Sequence, residues 1–267
     1  MPDITTRALL EMKEKGERIV ALTCYDALFA RLLDASGIDI LLVGDSLNQV
    51  LAGAASTLSA TLEQMIYHTT IVRRGAERAM VICDMPFLTY QITPEDALRN
   101  CGRVMKESGC QAVKLEGGQS MAATVRRLVE VGIPVMGHIG LTPQSVHALG
   151  GYRVQGRDDA TAERLKADAK ALEDAGAFAV VLELVPAALA SHITKTLTIP
   201  TIGIGAGPAC DGQVLVLHDM LGLNDQFSAK FVKKYAALAE DVREAARLFA
   251  AEVREGRYPG PEHSFGK

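Results

Sequence analysis

AMVICDMPFLTYQITPEDALRNCGRVMKESGCQAVKLEGG, residues 79–118, reads as one complete strand–helix–strand unit. The run AMVIC (79–83) has strand length and is apolar on both faces. Thr93 as cap with Pro94 in the first turn opens a helix, and Ala97, Leu98, Cys101, Val104 and Met105 share one stripe until Gly109. AVKL (112–115) then begins a second strand. Strands apolar on both faces must be covered on both sides, as in a parallel sheet.

The same pattern recurs outward in both directions. IVALTC (19–24), IDILLV (38–43), PVMG (134–137), FAVVLE (178–183), PTIGI (200–204) and QVLVL (213–217) are further strands bounded by Gly, Pro or polar residues. Helices are predicted from Asp26 to Gly37, from the capping pair Thr61 and Gln64 to Gly75, from Ser120 to Gly132, from Thr161 to Ala175, and after Pro186. Eight strands, mostly followed by helices, in 267 residues predict an α/β fold, a (β/α)8 TIM barrel, with a doubly wound open sheet as the alternative. No linker or repeat divides the chain, so residues 1–267 are expected to form a single barrel domain with a short polar C-terminal tail, RYPGPEHSFGK.

With 48% hydrophobic and 22% charged residues, the chain has enough apolar surface to form a core, which excludes a disordered polymer. Its 28 basic and 32 acidic residues give a net charge of -4 without a basic run, so no nucleic-acid partner is expected. Charges interrupt MPDITTRALLEMKEKGERIV, leaving no signal-peptide core, and no apolar run is long enough to span a bilayer. A cytoplasmic protein without membrane contact is expected. The five cysteines (Cys24, Cys83, Cys101, Cys110, Cys210) show no Cys-x-x-Cys spacing and are read as small core residues.

Chemistry concentrates at strand ends, where a carboxylate follows several apolar runs: Asp45, Asp84, Glu116 and Glu183. In a barrel these meet at the C-terminal mouth. An acid there can simply cap the next helix, but Thr61, Thr93 and Ser120 already take that task beyond Asp45, Asp84 and Glu116. Carboxylates brought together need a cation, and oxygen ligands without His or Cys in zinc-like spacing favour Mg2+. Lys114 shares a strand face with Glu116, which suits either an internal salt bridge or a cation for a substrate carboxylate. Glu183 lies in the apolar run FAVVLELV, where desolvation would raise its pKa and favour a proton acceptor, although a salt-bridged buried Glu is the alternative. His138 ends the fifth strand as a core histidine or a substrate contact; the other histidines have no ligand spacing. Gly203, Gly205 and Gly207 lack the immediate helix that a phosphate loop needs and are read as close backbone approach.

Taken together, VGDSLNQV (43–50), STLSATLEQMIYHTTIVRRG (56–75), VICDMPF (81–87), AVKLEGG (112–118), VMGHIGLTPQSVHALGGYRVQGR (135–157), LELVP (182–186), IPTIGIGAGPACDGQVLVLHDMLGL (199–223) and EHSF (262–265) resemble the ketopantoate hydroxymethyltransferase family. The resemblance implies a barrel of the phosphoenolpyruvate/pyruvate superfamily type that transfers a hydroxymethyl unit from methylene-tetrahydrofolate to α-ketoisovalerate through a Mg-stabilised enolate. The product, ketopantoate, serves pantothenate and coenzyme A synthesis. It implies Asp45, Asp84 and Glu116 as metal ligands, Ser46 and Lys114 with the two aspartates as keto-acid contacts, and Glu183 as catalytic base. It also implies a homo-oligomer, a decamer. A carbon-carbon lyase of the same superfamily and a non-catalytic binding barrel are the competing functions. The chain departs from the usual family pattern at Gly53-Ala54-Ala55-Ser56-Thr57-Leu58-Ser59-Ala60-Thr61, where an aromatic residue and a proline are missing, at positions 54 and 59. That departure bears on folate affinity and loop closure and leaves the acids intact.

Overall fold

The computed structural model describes residues 3–266. The chain divides into two compact units, one ending at Val216 and the other starting at Leu217. The first unit runs α1 (Thr6–Lys15), β1 (Ile19–Thr23), α2 (Ala27–Ala35), β2 (Ile40–Val43), α3 (Leu47–Val50), α4 (Leu62–Gly75), β3 (Met80–Asp84), α5 (Pro94–Ser108), β4 (Ala112–Glu116), α6 (Ala122–Glu130), β5 (Val135–Gly140), α7 (Asp159–Asp174), β6 (Ala179–Glu183), α8 (Ala187–Thr196), β7 (Thr201–Ile204) and β8 (Gly212–Leu215). The strands pair in parallel in sequence order, and β8 closes on β1. The barrel expectation therefore holds, and the open sheet is excluded.

Alternation along each strand builds two apolar layers. Leu41, Val43, Val81, Cys83, Val113, Leu115, Val135, Val180 and Leu182 pack outward with helix residues such as Met65, Val72, Cys101, Leu128 and Leu172. Ile19, Ala21, Ile40, Leu42, Met80, Ile82, Ala112, Met136, Ala179, Val181 and Ile202 fill the interior. Leu9, fully buried, and Met12 join that inner cluster, so α1 closes the N-terminal end of the barrel. All five cysteines are free and buried, as expected of small core residues.

Local punctuation explains the helix boundaries. Asp26 accepts from the Phe29 N–H, Thr93 from Asp96 with Pro94 in the first turn, and Thr61 with Gln64 forms a reciprocal capping box. Ser120 does not cap the fourth expected helix: it lies within a 3-10 turn, Gln119–Met121, and α6 begins one residue later without a side-chain cap. The departing loop is tethered, because Asn48 Nδ2 donates to Ser56 O and to Ser59 Oγ, both at 2.8 Å.

The second unit contains the short α9 (Leu217–Met220) and α10 (Leu238–Arg254). α10 has no buried residue, and its Val242, Leu248, Phe249 and Val253 are exposed. Among the described residues no helix is long and apolar enough to cross a membrane.

Candidate active site

Towards their C-terminal ends the inward positions of neighbouring strands change from apolar to charged. Met80 and Ile82 lead to Asp84 on β3, Ala112 to Lys114 and Glu116 on β4, Met136 to His138 on β5, and Ala179 with Val181 to Glu183 on β6. Register levels them, with Asp84 opposite Lys114 and Glu116 opposite His138. Asp45 enters from the turn after β2, and its N–H approaches Asp84 Oδ2 at 3.4 Å. Asp45, Asp84, Lys114, Glu116 and His138 are all buried.

Lys114 Nζ pairs with Asp84 Oδ1 at 2.8 Å rather than with Glu116, its neighbour on the same strand face. It also stands 3.0 Å from His138 Nδ1. The same ring atom lies 3.5 Å from Glu116 Oε1, and Nε2 faces Glu183 Oε2 at 3.2 Å. Glu183 is largely buried and faces a histidine as well as sharing its strand face with apolar residues. Val180 and Leu182 point outward to the helices, and the carboxylate meets His138 with 15% of its side chain exposed. Its backbone is fixed by Leu141 N–H donating to its carbonyl at 2.8 Å, and a side chain at Gly140 would strike that carbonyl. The next residue, Leu184, adopts the left-handed region with φ 46°.

The charges do not balance. Burial first, then Asp84 and Glu116, push the Asp45 carboxyl well above the usual carboxylate range. Burial also raises Asp84, with Lys114 opposing the rise. Glu116 goes the other way: burial would raise it, but His138, Lys114 and the Gln144 N–H hold it low. Burial opposes charge on Lys114, yet Asp84, Glu116 and Asp45 together raise it. Burial and Lys114 oppose a charge on His138, and Glu116 with Glu183 prevails, raising it to about 9. The 3.0 Å approach of Lys114 is a hydrogen bond to the neutral ring and a repulsion to the charged one.

Among the described residues, no three His, Cys, Asp or Glu side chains stand converged as a metal cluster. The oxygen donors still suit a hard divalent cation. Asp45 and Asp84 adjoin and are short of positive charge, Glu116 Oε1 is buried without a hydrogen bond, and Mg2+ takes only one or two protein carboxylates, with waters and substrate completing its shell.

Comparison with known proteins decides the family. The ketopantoate hydroxymethyltransferase family model matches residues 3–261. The chain belongs to that family. It is 53% identical over 266 residues to a 3-methyl-2-oxobutanoate hydroxymethyltransferase of Pelodictyon phaeoclathratiforme, covering 98% of this chain and 96% of the relative. The enzyme of the same name from Syntrophus aciditrophicus is 55% identical over 262 residues, with 98% and 96% covered. Family membership makes the chain an enzyme, a hydroxymethyl-group transferase. Solved structures share its fold: phosphonopyruvate hydrolase in complex with oxalate and Mg2+ (TM-score 0.63, 11% identity, 97% of this chain and 92% of that one). So does 2,3-dimethylmalate lyase, a PEP mutase/isocitrate lyase superfamily member (TM-score 0.61, 19% identity, 96% and 92%).

Of the sequence-derived site residues in this family member, Asp45, Asp84, Lys114, Glu116, His138 and Glu183 meet in one cluster. Ser46, beside Asp45, directs its Oγ to the Tyr25 hydroxyl at 2.8 Å. Sequence reasoning missed Gln144 and Tyr90. Gln144 Nε2 donates to Asp45 Oδ2 at 3.0 Å and to Met85 O at 2.9 Å, while its Oε1 accepts from the Tyr90 hydroxyl at 2.7 Å. Both lie in irregular connections, where no period marks a polar side chain as inward.

Proposed function

We propose that the chain transfers a hydroxymethyl group from methylene-tetrahydrofolate to α-ketoisovalerate, giving ketopantoate for pantothenate and coenzyme A synthesis. The observation that carries this reading is the buried acid, lysine and histidine cluster at the barrel mouth, ending in the more accessible Glu183. Asp45 and Asp84 would hold Mg2+, with Glu116 behind them. When bound, the cation supplies Lewis-acid polarisation of the keto carbonyl.

Lys114 brings positive charge for the substrate carboxylate, and Ser46, next to Asp45 in the chain, is a second contact for the keto acid. Glu183 accepts the C3 proton of the keto acid. His138 Nε2, 3.2 Å from Glu183 Oε2, faces one carboxylate oxygen, and the other is left for that proton. The electron pair released at C3 forms the new bond to the one-carbon unit, whose hydroxyl oxygen comes from one water; both carbon-nitrogen bonds to folate break, the nitrogens taking up the equivalent of the C3 proton and one proton of that water, so the protein's further task is to align the reactants. Afterwards the proton on Glu183 can leave through the mouth, where the carboxylate is partly open.

A turnover assay with α-ketoisovalerate, methylene-tetrahydrofolate and Mg2+, run with and without chelator, tests the reading. Ketopantoate formed only in the complete mixture is the expected result. Turnover unchanged by chelator removes the metal from the scheme, and cleavage of a 2-methylisocitrate-like acid in place of condensation supports the lyase alternative.

A further inference from the structure

Asp45 differs from the other acids in one respect: it stands outside the sheet, on the turn between β2 and α3. Strand register therefore does not aim its carboxylate. The donor that reaches Asp45 Oδ2 is the side-chain amide of Gln144, at 3.0 Å. Gln144 is buried, in the middle of the 3-10 turn Pro143–Ser145, whose proline restrains the backbone.

The amide has one tenable orientation. Met85 O can only accept, so the NH2 end must face it, at 2.9 Å, and the same end meets Asp45. Oε1 then accepts from the Tyr90 hydroxyl at 2.7 Å and from Gln91 Nε2 at 3.0 Å. The main chain of Gln144 reaches a second acid, its N–H donating to Glu116 Oε2 at 3.0 Å. Tyr90 closes the circuit, because its hydroxyl accepts from the Glu116 N–H at 3.0 Å. One residue thus touches two acids through two different groups.

We propose that Gln144, held by Tyr90, is the positioning residue that fixes the carboxylates of Asp45 and Glu116 relative to each other for cation binding. The proposal rests on the metal assignment made above. Loss of the amide leaves the Asp45 carboxylate free to rotate, so the cation must first reorder it. Groups that orient metal ligands typically change affinity about 10- to 100-fold when removed.

The test is calorimetric titration of the purified protein with Mg2+ alone, alongside C3 deuterium exchange of α-ketoisovalerate at increasing Mg2+. Asp45→Ala should lose measurable Mg2+ binding. Gln144→Met, close in volume, should weaken binding about 10- to 100-fold, with saturating Mg2+ restoring exchange to near the wild-type maximum. Tyr90→Phe keeps the ring and removes the hydroxyl, and should weaken binding about 3- to 10-fold. It decides the matter if Gln144→Met does not fold. Wild-type Mg2+ affinity in folded Gln144→Met and Tyr90→Phe, with binding lost in Asp45→Ala, overturns the role of Gln144 and leaves the metal assignment standing. Exchange depressed equally at all Mg2+ concentrations also overturns it, since that marks a merely structural residue. Absence of Mg2+ binding by the wild type, or normal binding by Asp45→Ala, overturns both.

Discussion

Lys114 shows most directly what the buried charges do to one another. Its ammonium is 2.8 Å from Asp84 Oδ1, with both side chains buried, and removing one partner leaves an uncompensated charge in the interior. Lys114→Met should cost about 3–5 kcal/mol in urea unfolding, and adding Asp84→Asn to it should recover most of that loss. A double variant no more stable than Lys114→Met would show that the two residues are not an energetic pair. Asp84→Ala alone should weaken Mg2+ and α-ketoisovalerate binding together; a folded variant with both affinities unchanged removes Asp84 from the site. The sequence placed Lys114 on the inward face, but its partner was not legible, because cross-strand register follows from barrel closure. For Glu183 the nearby Val180 and Leu182 face the helices, and a group facing its carboxylate comes from β5, which the local sequence does not reveal.

Elements that carry no chemistry still set the site's stability. Leu9 is fully buried among the inward residues at the N-terminal end of the barrel, so Leu9→Ala should lower stability by about 2–5 kcal/mol, with no change in keto-acid affinity. Equal loss of affinity would mean that α1 reaches the mouth. Asp34, at the end of α2, accepts backbone N–H bonds from Glu77, Arg78 and Ala79 and so fixes the entry to β3. Burial opposes its charge, but these bonds prevail and hold its carboxyl below the ordinary value. The sign follows: its contribution is complete above the unfolded-state value near pH 3.9 and is lost as pH falls through the lower folded-state value. Asp34→Ala should cost about 1 kcal/mol at pH 7, and the gap to wild type should narrow under acid. A gap independent of pH would assign the loss to packing. The strands and most caps were readable because apolar runs and Ser, Thr or Asp signals are local. The period of α10 was also present, in Leu238, Val242, Phe249 and Val253, within a stretch assigned to no element. In the loop from Gly53 to Thr61 the anchor, Asn48, comes from α3 and is not marked by the loop's own residues.

At the scale of the whole molecule, the strand-end acids drawn together by barrel closure would make stability depend on the proposed cation. With Mg2+ at about 100 times its Kd, ligand linkage contributes about 2.7 kcal/mol, so melting should rise by about 5–10 °C over a chelated sample. Asp45→Ala should abolish the difference, and an Mg2+ shift of the same size in that variant would locate the cation elsewhere. The barrel and its ring of acids were legible because they depend on strand order and on alternation along each strand. The Gln144 and Tyr90 links were not, because they join irregular segments brought together only by closure. In the proposed reaction this closed cluster removes the C3 proton of a keto acid through Glu183. That step is tested by following deuterium incorporation at C3 of α-ketoisovalerate by NMR, with Mg2+ and no folate, in wild type and Glu183→Gln. Exchange is expected in the wild type, with a loss of about 10² to 10⁴ in the variant and keto-acid affinity retained. Exchange at the wild-type rate in Glu183→Gln would contradict this and move the base to another group.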